Sequence, residues 1–339
     1  MVYNNKEFTN QFIDIVKANS PSSVLFVCSS KYDRYGYKKA LDKECINSVS
    51  FTEFEPCPER SSVYKGVECF NQNNCDFIIA VGGGSAIDVA KAIKLFAETD
   101  VKILAVPTTA GTGAEVTRFS VLYENGDKNS VRSWDIVPEY QVFDYTTLES
   151  LPYIQRVVTG LDAFVHALEA YWSLDATDES RMYSVEALRL FNENYKAYLL
   201  DDKTTYYNMM KCSELAGRAI NIAQTTAAHA FSYKLHKIKG FYHGGAVAVS
   251  LVYIWKYMFS HADDRMKALL NEVEKISGYT PDTLENLLRD LNLLDDLTMN
   301  RTEFEETVNG VDASRLSNHP MKLTSDDIRN IYASFIEIK

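Results

Sequence analysis

Four short runs rich in β-branched and aromatic residues mark the first third of the chain: Val24–Cys28 (VLFVC), Val49–Phe54 (VSFTEF), Phe77–Val81 (FIIAV) and Val101–Val106 (VKILAV). Stretches of helical pattern lie between them, near 34–43, 60–73 and 85–97. Strands alternating with helices predict parallel βαβ units in an open sheet. Runs apolar at consecutive positions fit strands covered by helices on both faces. Ahead of them, MVYNNKEFTNQFIDIVKANSP reads as an amphipathic helix, without the basic start, apolar run and cleavage site of a secretory leader.

The pattern changes between 118 and 144, where Asn125-Gly126 separates two apolar runs and predicts a hairpin. An antiparallel excursion is expected there, at the edge of the first domain. Beyond Pro152 long helical periodicities take over, at 155–173, 178–200, 203–223, 226–238 and 243–260. The expected architecture is an α/β domain over 1–150 with a parallel sheet, then an all-α domain over 151–339. A cleft between two such domains is the default place for a site.

Length and composition fit this picture. The chain has 339 residues, 46% hydrophobic and 24% charged, which excludes disorder, collagen and coiled coil for most of it. A formal charge of −11 argues against nucleic acid and anionic membranes as partners. No window approaches the roughly 18 apolar residues of a membrane-spanning helix. The six cysteines are scattered without a C-x-x-C pair, so reduced thiols in a cytoplasmic protein are expected.

Two loops carry candidate binding chemistry. The third run leads into Gly82-Gly83-Gly84-Ser85, where glycines allow close backbone approach and a helix start offers free N–H groups to an anion. Ser85 and Asp88 match a capping box, and the same triplet also suits a plain strand-to-helix turn. The fourth run leads into Pro107-Thr108-Thr109-Ala110-Gly111-Thr112-Gly113, dense in hydroxyls and glycines. Side by side at the carboxyl ends of strands, these loops would make a phosphate cradle.

Asp162 and His166 stand four apart, on one face of a helix, with His229 and His243 further along. One carboxylate and three imidazoles suit Fe²⁺ or Zn²⁺. Asp and His at this spacing also pair on helices without any metal. His236, His261 and His319 have polar or charged neighbours and are expected at the surface.

In combination, Gly82-Gly83-Gly84-Ser85 with Asp88, the PTTAGTGAEVT run at 107–117, Gly160-x-Asp162-x-x-x-His166, and then His229 and His243 resemble the iron-dependent (group III) alcohol dehydrogenases. The likeness spans about residues 20–260. It implies a dinucleotide-binding α/β domain and a helical domain, the plan shared with dehydroquinate synthases, with a metal in the cleft. Asp162, His166, His229 and His243 become the metal ligands, for Fe²⁺ or alternatively Zn²⁺. Gly83, Gly84 and Ser85 contact the cofactor pyrophosphate, while Thr108, Thr109 and Thr112 line its groove. Lys128 aligns with a lysine that reaches the ribose near the nicotinamide. A homodimer acting on a small aldehyde or alcohol is implied as well. Dehydroquinate synthases and glycerol-1-phosphate dehydrogenases share the plan; the first are lyases that recycle NAD and are richer in lysine, arginine and histidine around the site, and a lyase of that kind is the alternative on this fold.

Three positions depart from that family's pattern. Tyr233 stands where many relatives have a second histidine, so its hydroxyl becomes the candidate for orienting substrate or relaying a proton. Ser29 replaces the acidic residue common in NAD-selective relatives; with Ser30, Lys31 and Arg34 it favours NADPH, NADH being the alternative. Tyr242 precedes His243 where proline is usual.

A narrower likeness, carried by Glu169-Ala170-Tyr171-Trp172-Ser173, Glu179-Ser180-Arg181 and the stretch Gly217–Thr226, is to the branch that reduces phosphonoacetaldehyde to 2-hydroxyethylphosphonate. A phosphonate dianion needs cations and donors. Arg218, Asn221 and Thr225, just before His229, are the candidate substrate contacts, with Gln224, Thr226 and Arg118 nearby. Arg218 would otherwise pair with a carboxylate between helices.

Overall fold

A computed structural model describes residues 6–28, 34–124, 127–295 and 297–339, with the side chains of Asp127 and His236 set aside. The chain forms two compact units, Met1–Pro152 and Tyr153–Lys339.

In the first unit the helices are α1 (Lys6–Asn19), α2 (Tyr37–Lys43), α3 (Arg60–Gln72) and α4 (Gly84–Phe96). They alternate with strands β1 (Val24–Cys28), β2 (Ser48–Phe51), β3 (Phe77–Gly82) and β4 (Lys102–Pro107). Alternate side chains of these strands enter two separate cores. Leu25, Val27, Ile78, Ala80, Ile103 and Ala105 pack with residues of α3 and α4, including Val63, Phe70 and Ile93. Val24, Phe26, Phe77, Ile79, Leu104 and Val106 pack with Phe12, Val16, Tyr37 and Leu41 of α1 and α2. Burial on both faces is why the strands read as unbroken apolar runs.

The excursion forms two small antiparallel ladders, β5 (Phe119–Ser120) with β8 (Val131–Arg132) and β6 (Tyr123–Glu124) with β7 (Asp127–Lys128). The Asn125-Gly126 turn itself lies outside the described residues. The chain then returns to the main sheet as β9 (Tyr140–Gln141), parallel to β4, a fifth strand that a two-residue pairing leaves no sequence signal to predict. All pairings in the resulting sheet, ordered β2-β1-β3-β4-β9, are parallel. Strand order reverses between β1 and β3, the point at which such sheets bind ligands beyond the strands' carboxyl ends.

The second unit is helical: α5 (Tyr153–Trp172), α6 (Asp178–Leu199), α7 (Tyr206–Ala223), α8 (Ala227–Lys239), α9 (His243–His261), α10 (Asp264–Ser277), α11 (Pro281–Asp290), α12 (Arg301–Asn309) and α13 (Ser325–Ala333). One two-residue parallel ladder joins β10 (Thr298–Met299) to β11 (Glu337–Ile338). Helix α5 is buried along nearly its whole length. Its Gly160 leaves room for the ring of Tyr195, whose hydroxyl donates to the Val157 carbonyl at 2.8 Å. Capping boxes at Thr177 and Thr280 set the starts of α6 and α11. No helix among the described residues is long and apolar enough to cross a membrane.

Candidate metal centre and phosphate loops

Three helices of the second unit bring a carboxylate and three imidazoles together. Asp162 and His166 lie one turn apart on α5, His229 is in the first turn of α8, and His243 opens α9. The Nε2 atoms of His229, His243 and His166 stand 3.6, 3.8 and 3.9 Å from Asp162 Oδ1. These separations are too long for hydrogen bonds. They match the spacing of atoms that each sit about 2 Å from one shared ion.

Asp162, His166 and His229 are buried, and each offers a ligand atom within 4.8 Å of the others. Asp162 Oδ1 and His229 Nε2 have no hydrogen-bond partner among the described residues. Two orphaned polar atoms in a buried site carry a desolvation cost that a cation between them removes. The donor set therefore fits a divalent ion of the Fe²⁺ or Zn²⁺ kind. Burial alone would raise the Asp162 carboxyl, but the imidazoles of His166, His243 and His229 hold it well below its ordinary range. For His229 burial is likewise outweighed, here by Asp162 and Glu169, which lift its imidazole to about 9.

Glu169, buried on the same helix as Asp162 and His166, holds His229 in place. Its Oε2 lies 2.5 Å from His229 Nδ1, while Oε1 accepts from Thr226 Oγ1 at 2.6 Å and the Ala228 amide at 2.7 Å. Trp172 Nε1 donates to the same threonine hydroxyl at 3.0 Å. With one ring nitrogen held by a buried carboxylate, the other is turned towards Asp162. Asp162, His166 and Glu169 follow the i, i+4, i+7 spacing of one helix face, which is the signal that finds it.

In the first unit the two candidate loops lie against each other. A Cβ placed on Gly83 would come 3.2 Å from Thr109 Cγ2, and one on Gly84 would come 2.9 Å from Thr112 Cγ2. The Thr108 amide donates to the Gly82 carbonyl at 3.0 Å. Gly113 takes the left-handed conformation, φ 59°, that turns the chain back beneath α4. Buried Lys91 of α4 clamps this turn, donating to the carbonyls of Ala114 and Phe119 at 2.6 and 2.5 Å and to Thr117 Oγ1 at 3.1 Å.

The capping box expected from Ser85 and Asp88 does not form. Helix α4 starts one residue earlier, with Gly83 as its cap and no side-chain capping bond. A helix start without a side-chain cap keeps the amides that an anion site would use. Asp88 instead faces Lys91 at 3.9 Å and feels the charge of Lys128, while burial pushes its carboxyl above the ordinary range. Ser29, with Ser30 and Lys31, lies outside the described residues, and Arg34 is exposed.

Two family models match the chain: iron-containing alcohol dehydrogenase over residues 1–145, and the C-terminal region of the Fe-containing alcohol dehydrogenase family over 156–336. The chain belongs to the iron-containing alcohol dehydrogenases. It is 30% identical to an NADPH-dependent butanol dehydrogenase of Clostridium saccharobutylicum, over 91% of this chain and 90% of that one. An iron-containing alcohol dehydrogenase of Thermotoga maritima superimposes with a TM-score of 0.87 at 28% identity, covering 96% and 95% of the two chains. A sulfoacetaldehyde reductase of Bifidobacterium kashiwanohense, solved in complex with NAD⁺, gives 0.86 at 25% identity, covering 97% and 94%. As a member of this family the chain is a metal-dependent oxidoreductase acting on CH–OH groups with a nicotinamide dinucleotide.

Other expected positions of the dehydrogenase fall in different places. Tyr233 is one turn beyond His229 on α8, its ring 6.2 Å from that of His243 and nearly parallel to it. Arg218 is engaged on its own helix, where its Nε donates to Glu214 Oε1 at 2.8 Å, so the pairing is within α7 and not between helices. Asn221 is half-buried near the end of α7, and the Thr225 carbonyl accepts from Asn318 Nδ2 at 3.1 Å. Arg118 stacks over the Trp134 ring at 4.5 Å.

His319 corrects the expectation of a surface residue. It is 2% exposed, edge-on to Trp172 at 6.1 Å, and neither ring nitrogen has a hydrogen-bond partner among the described residues. The preceding residue explains this. Asn318 accepts from the Leu174 amide and donates to Ser173 Oγ and to the carbonyls of Ala223 and Thr225, which draws the segment inward. His261 is exposed as expected, and the His236 side chain lies outside the described residues.

Proposed function

We propose that this dehydrogenase reduces a short aldehyde to a primary alcohol. Asp162, His166, His229 and His243 would hold Fe²⁺, with Zn²⁺ as the alternative. NADPH, or alternatively NADH, would bind through Gly83, Gly84 and Ser85 and through Thr108, Thr109 and Thr112. The observation that carries the reading is the pair of orphaned atoms, Asp162 Oδ1 and His229 Nε2, inside a carboxylate and histidine cluster.

When bound, the metal supplies Lewis acidity towards the carbonyl and the reduced nicotinamide supplies the hydride. The chain's own residues do the rest. Glu169 fixes the orientation of His229. Glycines at 83 and 84 would let a pyrophosphate approach the start of α4, which no side chain caps. The Tyr233 hydroxyl, one turn from His229, is the candidate to pass a proton to the product oxygen, and Lys128 is the candidate partner of the cofactor ribose. Among the described residues no disulfide joins the cysteines, and we propose a homodimer in a reducing cytoplasm.

For the substrate we propose phosphonoacetaldehyde, giving 2-hydroxyethylphosphonate, with Asn221 and Thr225 among the polar contacts. The sulfoacetaldehyde named for one structural relative is likewise a two-carbon aldehyde with a charged tail. A second reading, an uncharged short-chain alcohol, is favoured by the commitment of Arg218 to Glu214.

The test follows NADPH oxidation with phosphonoacetaldehyde, propanal and lactaldehyde after anaerobic loading with Fe²⁺ or Zn²⁺. Preference for phosphonoacetaldehyde is the expected result. Turnover of the neutral aldehydes alone discards the phosphonate assignment, and no oxidation with any aldehyde by metal-loaded protein discards the reductase reading.

A further inference from the structure

Three of the four residues of the cluster are buried, and the fourth is partly exposed. The side chains of Asp162, His166 and His229 are 4–8% exposed, whereas that of His243 is 36% exposed. Tyr233 stands beside this partly exposed histidine, its ring nearly parallel to that of His243. The guanidinium of Arg315 lies 5.2 Å from the Tyr233 ring centre, and its Nη1 donates to the phenol oxygen at 3.4 Å. A permanent cation is thereby held one aromatic ring away from a metal ligand. It comes from the short 3₁₀ turn Ala313–Leu316.

We propose that Arg315 recognises the anionic tail of the substrate, an oxyanion group such as phosphonate, sulfonate or carboxylate on a short aldehyde. This rests on the aldehyde reductase reading and names its substrate class. Two observations support it. First, the Arg315 side chain is 36% exposed, which leaves its planar guanidinium, a shape suited to oxyanions, within reach of a ligand. Its acidic neighbour Asp312 is 3.6 Å from Nε, while Asp312 Oδ1 accepts from the Ser314 amide and hydroxyl at 2.9 and 2.7 Å. Second, the cation expected from the sequence, Arg218, donates to Glu214 on its own helix.

The experiment measures kcat/KM of metal-loaded wild type, Arg315→Lys and Arg315→Met with phosphonoacetaldehyde, sulfoacetaldehyde, succinic semialdehyde and butanal. The readout is the ratio of each anionic aldehyde to butanal. A charged hydrogen bond is worth about 1.5–3 kcal/mol, so Arg315→Met should lower that ratio by about 10- to 100-fold, chiefly through KM, with partial recovery in Arg315→Lys. The three anionic arms tell which tail is preferred. An unchanged ratio, or a wild type without preference for any anionic aldehyde, overturns the proposal. Calorimetric binding of 2-hydroxyethylphosphonate to the same proteins separates it from the reductase reading. If no aldehyde is turned over, that reading fails, while binding lost in Arg315→Met still supports the anion site. Equal binding by wild type and variant, or none by wild type, overturns it.

Discussion

Glu169 Oε2 and His229 Nδ1 are 2.5 Å apart in a fully buried environment, and this contact fixes which nitrogen of His229 faces Asp162. The carboxylate is itself held by Thr226 and the Ala228 amide, so it has little freedom to follow the ring. Replacing Glu169 by Gln keeps the shape and one acceptor but removes the charge. We expect Glu169→Gln to weaken metal binding by about 10- to 100-fold, read by chelator competition, with a smaller loss in Glu169→Asp. Unaltered metal affinity in both variants would show that the contact does not orient the ligand.

Gly244 and Gly245 make a paired prediction about the helix that carries His243. A Cβ on Gly244 would drive into the Val158 carbonyl oxygen and sit 3.1 Å from Asp162 Cβ. One on Gly245 meets only Leu293 and Val158 side chains, at 3.6 and 3.7 Å, ordinary contact distances. Gly244→Ala should therefore cost about 1–3 kcal/mol or more and displace His243 from Asp162. Gly245→Ala should be neutral or gain up to about 1 kcal/mol from helix propensity. Urea midpoints of the metal-free proteins check the first effect, and metal titration checks the second.

What could be read in advance divides along physical lines. Strands β1, β3 and β4 were legible because helices bury both of their faces, which writes consecutive apolar residues into the sequence. Helices α5 to α9 were legible from long periodicities. Strand β9 was not, since two residues in register with Leu104 and Ala105 carry no pattern of their own. At the site, Asp162 and His166 share a local helical spacing, but their approach to His229 and His243 depends on how three helices pack. Arg315 is 82 positions from Tyr233 and follows from no local rule. His319 misled for the opposite reason: its neighbours are polar, yet the bonds of Asn318 carry it inside.

Burial pushes the imidazole of His319 down to about 4, with Glu169 opposing. Its unfolded value is near 6.5, so between these limits the unfolded chain binds a proton that the folded one refuses. The contribution to stability is present above about pH 6.5 and is lost as pH falls towards 4. Within that window the wild type should lose up to about 1.4 kcal/mol per pH unit more than His319→Leu. Urea denaturation of metal-free protein at a series of pH values measures this. Parallel pH dependences for the two proteins would contradict a neutral, buried His319.

His243 separates metal binding from folding better than its partners do. Asp162 is buried under three imidazoles that hold its carboxyl low, so Asp162→Asn leaves their charge unopposed and should destabilise the metal-free protein as well as the site. His243 is the first residue of its helix and a third exposed, so His243→Ala removes little packing. Its metal-free stability should stay within about 0.5 kcal/mol of wild type. Metal content after anaerobic loading and NADPH-linked aldehyde turnover should fall together, both to background. Turnover that persists without bound metal would break the link between this cluster and the chemistry. Metal retained at wild-type affinity would instead remove His243 from the ligand set.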